Sequence, residues 1–374
     1  MQIQIDKKLT NNINRTSILQ QSAFWANVKK KHGVESKAFD IKVPAKDIFN
    51  KPKSNSAIVD DILILLPNLD TEYKIGYVPY GPTLKPSEEN QGIFLEELSE
   101  SLREFLPQEC VMLRYDLLWE SLWAKDDSNY KENGDWNGPP SKVNQEIRLN
   151  FNTNNWNLKK ANTNILPSDT IFINLKKDLN QLQKEMKPKT RYNINLSFRK
   201  GITVRKAELN ELPVWYKLYE ETCNRNGIFL HDIEYFQAVL STKLNDINSP
   251  ATVELLIAEL DTEPLAAMFI VYSNHRATYL YGASSSVKRS HMATYALQWE
   301  AIKKAKDKGC TEYDMFGIAA KPEPSHPLYG LYRFKKGFGG NIFHRMGCWD
   351  YPLNRELYQT YRSAEMTSQG YHLR

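Results

Sequence analysis

The sequence is poor in the features that place a chain outside the ordinary soluble proteins. Its four cysteines, Cys110, Cys223, Cys310 and Cys348, lie far apart with no CxxC spacing. That argues against a disulfide framework and predicts reduced thiols, mostly core filler, in a cytoplasmic protein. No apolar run approaches the length of a membrane span, and residues 62–66 and 265–272 are among the longest. The opening Met1-Gln-Ile-Gln-Ile-Asp-Lys-Lys8 lacks the apolar core of a signal peptide. Charge of one sign is scarce too. Against 49 Lys and Arg stand 44 Asp and Glu, a formal net charge of +5, which permits an anionic partner without demanding one. What is present is ordinary: 41% hydrophobic and 25% charged residues over 374 positions, enough for two or three domains with real cores.

One stretch stands apart. His326-Pro-Leu-Tyr-Gly-Leu-Tyr-Arg-Phe-Lys-Lys-Gly-Phe-Gly-Gly340 interleaves aromatics with Arg333, Lys335 and Lys336 and carries four glycines. It reads either as a Gly-rich hairpin with a solvated basic edge or as a binding segment for an anion with flat, apolar faces. It is not a P-loop, because Gly337-Phe-Gly-Gly340 runs into the strand-like Asn341-Ile-Phe-His-Arg-Met346 and offers no helix start. Read as extended chain, it sends Lys335 and Lys336 to opposite faces.

Periodicity predicts an α/β chain with an internal repeat. In the first half a helix at residues 22–33, with Ser22 as N-cap, is followed by strands at 35–43, 58–66 and 73–78. A Gly-containing turn, a helix at 91–105 and a strand at 110–117 complete the half. The second half has a helix at 190–201, strands at 202–207, 252–260, 264–272 and 277–282, a helix at 293–309 and a strand at 310–316. An extra helical segment falls at 211–240, and Gly33 and Gly201, like Cys110 and Cys310, hold matching places. Two copies of one α/β unit are expected, residues 1–165 and 166–346, with 347–374 returning to the first. The polar stretch 125–142 reads as an exposed loop. Lys187, Lys189 and Arg191 open the second repeat's helix, which suits phosphate binding or a solvated basic face.

These motifs carry a resemblance. Lys189-Thr-Arg-Tyr-Asn-Ile194 with Arg199-Lys-Gly201, Tyr313-Asp-Met-Phe-Gly-Ile318, and Tyr332-Arg-Phe-Lys-Lys-Gly-Phe-Gly-Gly340 resemble the FemABX family of non-ribosomal peptidyltransferases. Gln21-Ser-Ala-Phe-Trp25 with Lys29, Tyr80-Gly-Pro82 and Tyr281-Gly-Ala-Ser284 fit as well, so the resemblance runs from about residue 18 to about 353. It implies two tandem acyltransferase-like (GNAT-like) domains without the coiled-coil arm of the larger members. The reaction implied is transfer of an amino acid from aminoacyl-tRNA to a side-chain amine of a peptidoglycan stem peptide. The acceptor would be UDP-MurNAc-pentapeptide or a lipid-linked precursor, with no metal and no cofactor. A cytoplasmic monomer, at most peripheral at the inner membrane face, is expected.

Residue by residue, the resemblance implies that Lys29 meets the acceptor's diphosphate, with Tyr235 and Tyr281 facing the precursor. Phe334 and Lys335 would lie beside the reacting groups, with Asp116 a candidate base. Lys187, Lys189, Arg191 and Lys336 would meet tRNA. His231 departs from the pattern, standing where compact members carry an arginine, and a mostly neutral imidazole cannot clamp a phosphate bidentately. Two other classes stay open. A CoA-dependent N-acyltransferase would need a Gly-rich pyrophosphate turn, and no glycine lies between Val287 and Lys308. A non-catalytic tRNA-binding module would leave Phe334, Lys335 and Tyr281 without a task.

Overall fold

The computed structural model describes residues 1–52, 56–132, 134–227, 230–242, 247–319, 323–326 and 328–367. The first half builds β1 (Gln4–Lys8), α1 (Ala23–Lys31), β2 (Glu35–Pro44), α2 (Ala45–Ile48), β3 (Ala57–Leu66), β4 (Lys74–Val78), α3 (Gln91–Arg103) and β5 (Cys110–Glu120). A connecting stretch holds α4 (Lys142–Asn150) and the two-residue β6 (Lys159–Lys160). The second half begins with β7 (Asp169–Asn174), α5 (Leu179–Glu185), α6 (Pro188–Arg199), β8 (Thr203–Ala207), α7 (Leu212–Asn226) and α8 (Ile233–Ser241). Next come β9 (Ala251–Leu260), β10 (Glu263–Ser273), β11 (Arg276–Ser284), α9 (Ala293–Asp307) and β12 (Glu312–Asp314). The chain closes with α10 (Tyr329–Gly337), β13 (Asn341–Pro352) and α11 (Arg355–Thr367).

The repeat is visible in the pairing. The order β1-β2-β3-β4-β5 is antiparallel until its last pair, β4–β5, which is parallel. The order β8-β9-β10-β11-β12 does the same, with β11–β12 parallel. A parallel pair needs a crossover, and α3 and α9 supply the two. Strand β13 joins the halves: Asn341–His344 pair with β7, and the stretch from Arg345 on pairs with β5 across a register shift between Arg345 and Gly347.

Apolar runs replace strict alternation in β3 and β10 because both faces of the sheet are covered. Leu63 and Leu65 face the layer containing α1, while Ile62, Ile64 and Leu66 face α3. Likewise Ala267, Phe269 and Val271 face α7 and α8, while Ala266, Met268 and Ile270 face α9. The α1 layer and the α7/α8 layer form one continuous apolar cluster across the two halves. All four cysteines are buried, and none forms a disulfide. Among the described residues the longest helices, α7 and α9, have 15 residues, so none forms a coiled-coil arm. None of them is long and apolar enough to cross a membrane.

Three readings are corrected. Residues 329–337 form a helix rather than an extended or hairpin segment, so Lys335 and Lys336 diverge by helical rotation, not by alternation. The stretch 125–142 is not simply exposed, since Trp136 is buried and stacks on His344 with centroids 4.0 Å apart. Strand β5 does not end near Asp116 but continues to Glu120. Elements β1, α4 and α5, of five, nine and seven residues, are additions to the expected elements.

Candidate active site

Helix α1 is anchored at its start. Ser22 Oγ accepts from Trp25 N (3.1 Å), and the Ala23 amide donates to Ser249 Oγ of the second half (2.7 Å). One turn on from Trp25, Lys29 lies with its Nζ 5.1 Å from the Trp25 ring centroid and 5.1 Å from that of Tyr235. Tyr235 is set by Asp232, the N-cap of α8, which accepts from the Tyr235 amide (2.9 Å). Its phenol meets that of Tyr281 on β11 at 2.7 Å. His231 stacks on Tyr235 with centroids 4.5 Å apart, and His32 packs on it at 5.1 Å.

The structure therefore brings Lys29, His231, Tyr235 and Tyr281 into one cluster where the two halves meet. Burial pulls the Lys29 amine down to about 8 and pushes the Tyr281 phenol well above its usual value. His32 Nε2 is buried without a partner among the described residues. A half-buried ammonium among aromatic faces favours an anionic ligand that also has an apolar or flat part. His32 and Trp25 were missed as site residues. The signal for Trp25 is its i,i+4 spacing to Lys29.

The second cluster lies where β11 and β12 part company. The two strands pair only from Arg276–Thr278 to Glu312–Asp314, and β11 then runs on to Ser284 paired with β10 on its other side. Lys335 of α10 reaches this end and is only 4% exposed. Its Nζ donates to the Gly317 carbonyl (2.8 Å) and the Phe316 carbonyl (3.2 Å), and stands 5.1 Å over the Tyr279 ring. Burial lowers this amine to about 7, with Asp314 opposing. Phe334 is half-buried against Tyr295 and Phe338, with centroids at 5.0 and 5.2 Å. Tyr279 was not anticipated, although it stands two residues from Tyr281.

Asp116 belongs to neither cluster. It is fully buried in β5, and its Oδ2 accepts from the Tyr77 phenol (3.0 Å) and the Leu166 amide (2.8 Å). Burial holds its carboxyl above the usual range, while those two bonds pull the other way. Its Oδ1 has no partner among the described residues.

The basic residues separate. Lys187 and Lys189 are exposed at the start of α6, whose first carbonyl contact is the Lys187 amide donating to Gly337 of α10 (2.9 Å). Arg191 instead caps α5, donating to the Gln183 and Lys184 carbonyls (both 3.3 Å) and to Met186. Lys336 donates to the Tyr332 phenol (2.8 Å). From 187 to 207 the chain holds Lys187, Lys189, Arg191, Arg199, Lys200, Arg205 and Lys206 and no acidic residue. On the crest of α6, Tyr192 is 57% exposed with the Arg199 guanidinium 6.0 Å from its ring.

Comparison with known proteins adds the following. The model of the FemAB family matches residues 7–261 and 251–366. A lipid II:glycine glycyltransferase of Staphylococcus epidermidis is 26% identical over 52% of this chain and 60% of its own. One from Staphylococcus saprophyticus is 24% identical, over 52% and 61%. The chain thus spans about 60% of the length of the curated relatives it matches. A crystal structure of FemX superposes with a TM-score of 0.68 over 97% of this chain and all of that one, at 18% identity, which shows a shared fold. The C-terminal domain of a putative lysylphosphatidylglycerol synthetase from Agrobacterium fabrum follows at 0.50, covering 95% of each chain at 10% identity.

Proposed function

The chain belongs to the FemAB family, and from that membership we propose that it is an aminoacyltransferase of peptidoglycan cross-bridge synthesis. It moves an amino acid from the 3′ ester of aminoacyl-tRNA to a side-chain amine of the precursor's stem peptide. The observation that carries this reading is Lys335, a buried amine held at the parting of β11 and β12 by two carbonyls and the Tyr279 ring. A lysine buried there has little structural reason to exist, and charge beside a reacting carbonyl has a chemical one.

The chemistry asks for placement more than activation. The acceptor amine, with a free pKa near ~10.4 for a lysine side chain, gives up a proton and attacks the ester carbonyl. A tetrahedral oxyanion forms, the bond to the 3′ oxygen breaks, and the leaving hydroxyl takes up a proton as the amide is made. A positioned donor at that oxyanion lowers the barrier by roughly 3–4 kcal/mol, and Lys335 is assigned that part. Phe334 packs beside it. Lys29, Tyr235, Tyr281 and His231 hold the acceptor's anionic portion. Asp116 is fully buried with its Oδ2 spent on the Tyr77 phenol and the Leu166 amide, so proton relay by the leaving hydroxyl is the simpler account. Lys187, Lys189 and Lys336 face the tRNA, with Arg191 acting through the α5–α6 corner.

The relatives' names specify lipid II, and His231 in place of an arginine weakens the case for a soluble UDP-linked acceptor; both favour a lipid-linked one. Against CoA use, the turn entering α9 spends its amides internally: His291 N donates to Lys288 O (2.8 Å) and Met292 N to Arg289 O (3.2 Å). The decisive experiment mixes the protein with charged tRNA and, separately, lipid-linked precursor, UDP-MurNAc-pentapeptide and acetyl-CoA. Transfer from tRNA to the lipid-linked acceptor is expected. Acetyl transfer in its place would overturn the reading.

A further inference from the structure

Two of the stretches that carry the family resemblance, the Tyr80 turn and the Phe316 turn beside Lys335, meet in the fold. The Tyr80 ring, from the first half, stands edge-on to Phe316 with centroids 6.3 Å apart. Phe316 has φ +58°, a left-handed backbone that costs a bulky residue on the order of 1–2 kcal/mol and persists only where its surroundings hold it. The holder is Asp314. Its Oδ1 accepts from the Phe316 amide (2.8 Å) and from Thr170 Oγ1 of β7, and its Oδ2 lies 3.5 Å from Arg345 Nη2. Arg345 in turn covers the Tyr80 ring at 4.5 Å. Asp314 and Arg345 are 3% and 6% exposed, so this is an interior junction and not a surface ion pair. The Phe316 and Gly317 carbonyls, turned by that left-handed residue, are the two that hold Lys335.

We propose that Asp314 is the positioning residue of the transfer site: it fixes the Phe316 turn that aims two carbonyls at the Lys335 ammonium, and its carboxylate is the charge facing that ammonium. The proposal rests on the reading of Lys335 as a reacting-centre cation. The other groups around the amine do not substitute for Asp314. Tyr279 on β11 has its phenol pushed up to about 12 and is neutral. On α10, Arg333 is exposed and Lys336 is engaged with Tyr332. On β13, Arg345 opposes Asp314 rather than adding to it. Burial alone would favour the neutral amine, and Asp314 is the charge that works against it.

The test is Asp314→Asn, which keeps an oxygen for the Phe316 amide and removes the charge. Lys335 is titrated by competitive labelling with acetic anhydride, read peptide by peptide in a mass spectrometer, and the pH profile of transfer is recorded beside it. The labelling midpoint is expected to fall by about half to one pH unit, and the transfer profile to move with it. Thr170→Val, which removes a hydrogen bond but no charge, should leave both in place. An unmoved midpoint in folded Asp314→Asn overturns the proposal, and so does a moved midpoint with an unmoved transfer profile. If Asp314→Asn does not fold, Phe316→Gly supplies a backbone that takes positive φ without cost. The comparison is then Phe316→Gly against Phe316→Gly with Asp314→Asn, under the same criteria. If Lys335→Met transfers normally, the reading of Lys335 falls, while the labelling still decides whether Asp314 positions it.

Discussion

The proposed reaction turns on Lys335 and His231, and each gives a measurable consequence. The Lys335 amine stands at about 7 in the fold against 10.5 when free. Between those values the unfolded chain binds more protons than the native one, so stability rises with pH across this window and the burial penalty is fully present below about 7. Lys335→Met keeps the apolar stem and removes the charge. Melting temperature at pH 7 should hold or rise, as the lost penalty offsets two lost carbonyl bonds, and the wild type should gain on the variant as pH rises from 7 toward 10. Turnover should drop roughly 100-fold or more if the charge meets the oxyanion. Lys336→Met, which loses a bond to the buried Tyr332 phenol and a charge assigned to tRNA, should weaken apparent tRNA affinity and leave turnover at saturating tRNA near normal; equal loss of turnover from both would remove Lys335 from the reaction. His231→Arg puts a guanidinium beside Lys29 and Tyr235, where a charge-assisted bond to phosphate contributes about 1.5–3 kcal/mol. Calorimetry should show UDP-MurNAc-pentapeptide binding at least tenfold more tightly, and unchanged affinity would show that the imidazole does not face the diphosphate. The sequence revealed these residues by type. It could not reveal that Lys335 is buried, because burial comes from Phe316, Gly317 and Tyr279, none of them its neighbours in the chain.

Helix α10 shows where reading elements from sequence breaks down. Gly330, Gly337, Gly339 and Gly340 each lower helix propensity by about 0.8–1 kcal/mol relative to Ala, and four in fifteen residues argue for loop. Tertiary contact outweighs that local preference. Tyr332 and Lys335, three apart, form the buried face, and Gly337 gives its carbonyl to the start of α6. Gly339 and Gly340, both at φ +83°, then turn the chain into β13. The glycine at 337 is there for space: a Cβ would lie 2.4 Å from Thr190 Oγ1, and Thr190 is buried and β-branched with little room to yield. Gly337→Ala should destabilise the protein by roughly 1–3 kcal/mol and cut turnover as α10 moves off α6. Chemical denaturation measures the first effect, and adding Thr190→Gly should recover most of it. No loss of stability in Gly337→Ala would mean that α10 is not docked on α6 as described. By contrast, β3, β5, β10 and α9 were legible because both-sided burial leaves apolar runs and a full amphipathic period in the sequence itself.

Across the whole molecule, the net charge of +5 hides its distribution. The acceptor cluster is shared by α1 and α8, whereas the acid-free run from 187 to 207 lies wholly in the second half. There α10 docks on its first turn, so a tRNA lying on α6 would bring its acceptor end toward Lys335. Not every cation in that run is available to it. Arg205 is paired with Glu211 (2.7 Å) and Glu259 (3.0 Å), and Lys200 donates to the Ser290 carbonyl (2.8 Å). For Lys189 and Arg199 no acidic partner is found among the described residues, and Tyr192 between them offers a ring for stacking. Each phosphate contact releases counterions, contributing about 0.7–0.9 to the slope of log affinity against log salt concentration. Lys189→Met and Arg199→Met should therefore each flatten that slope by nearly one unit in filter binding with deacylated tRNA. Arg205→Met, drawn from the same run but already neutralised by its two glutamates, should leave it unchanged. Tyr192→Ala should weaken binding by about 1–3 kcal/mol without altering the slope, because stacking releases no ions. If all three cation variants flatten the slope alike, the tRNA responds to the diffuse field of the second half. The crest of α6 would then not be its seat.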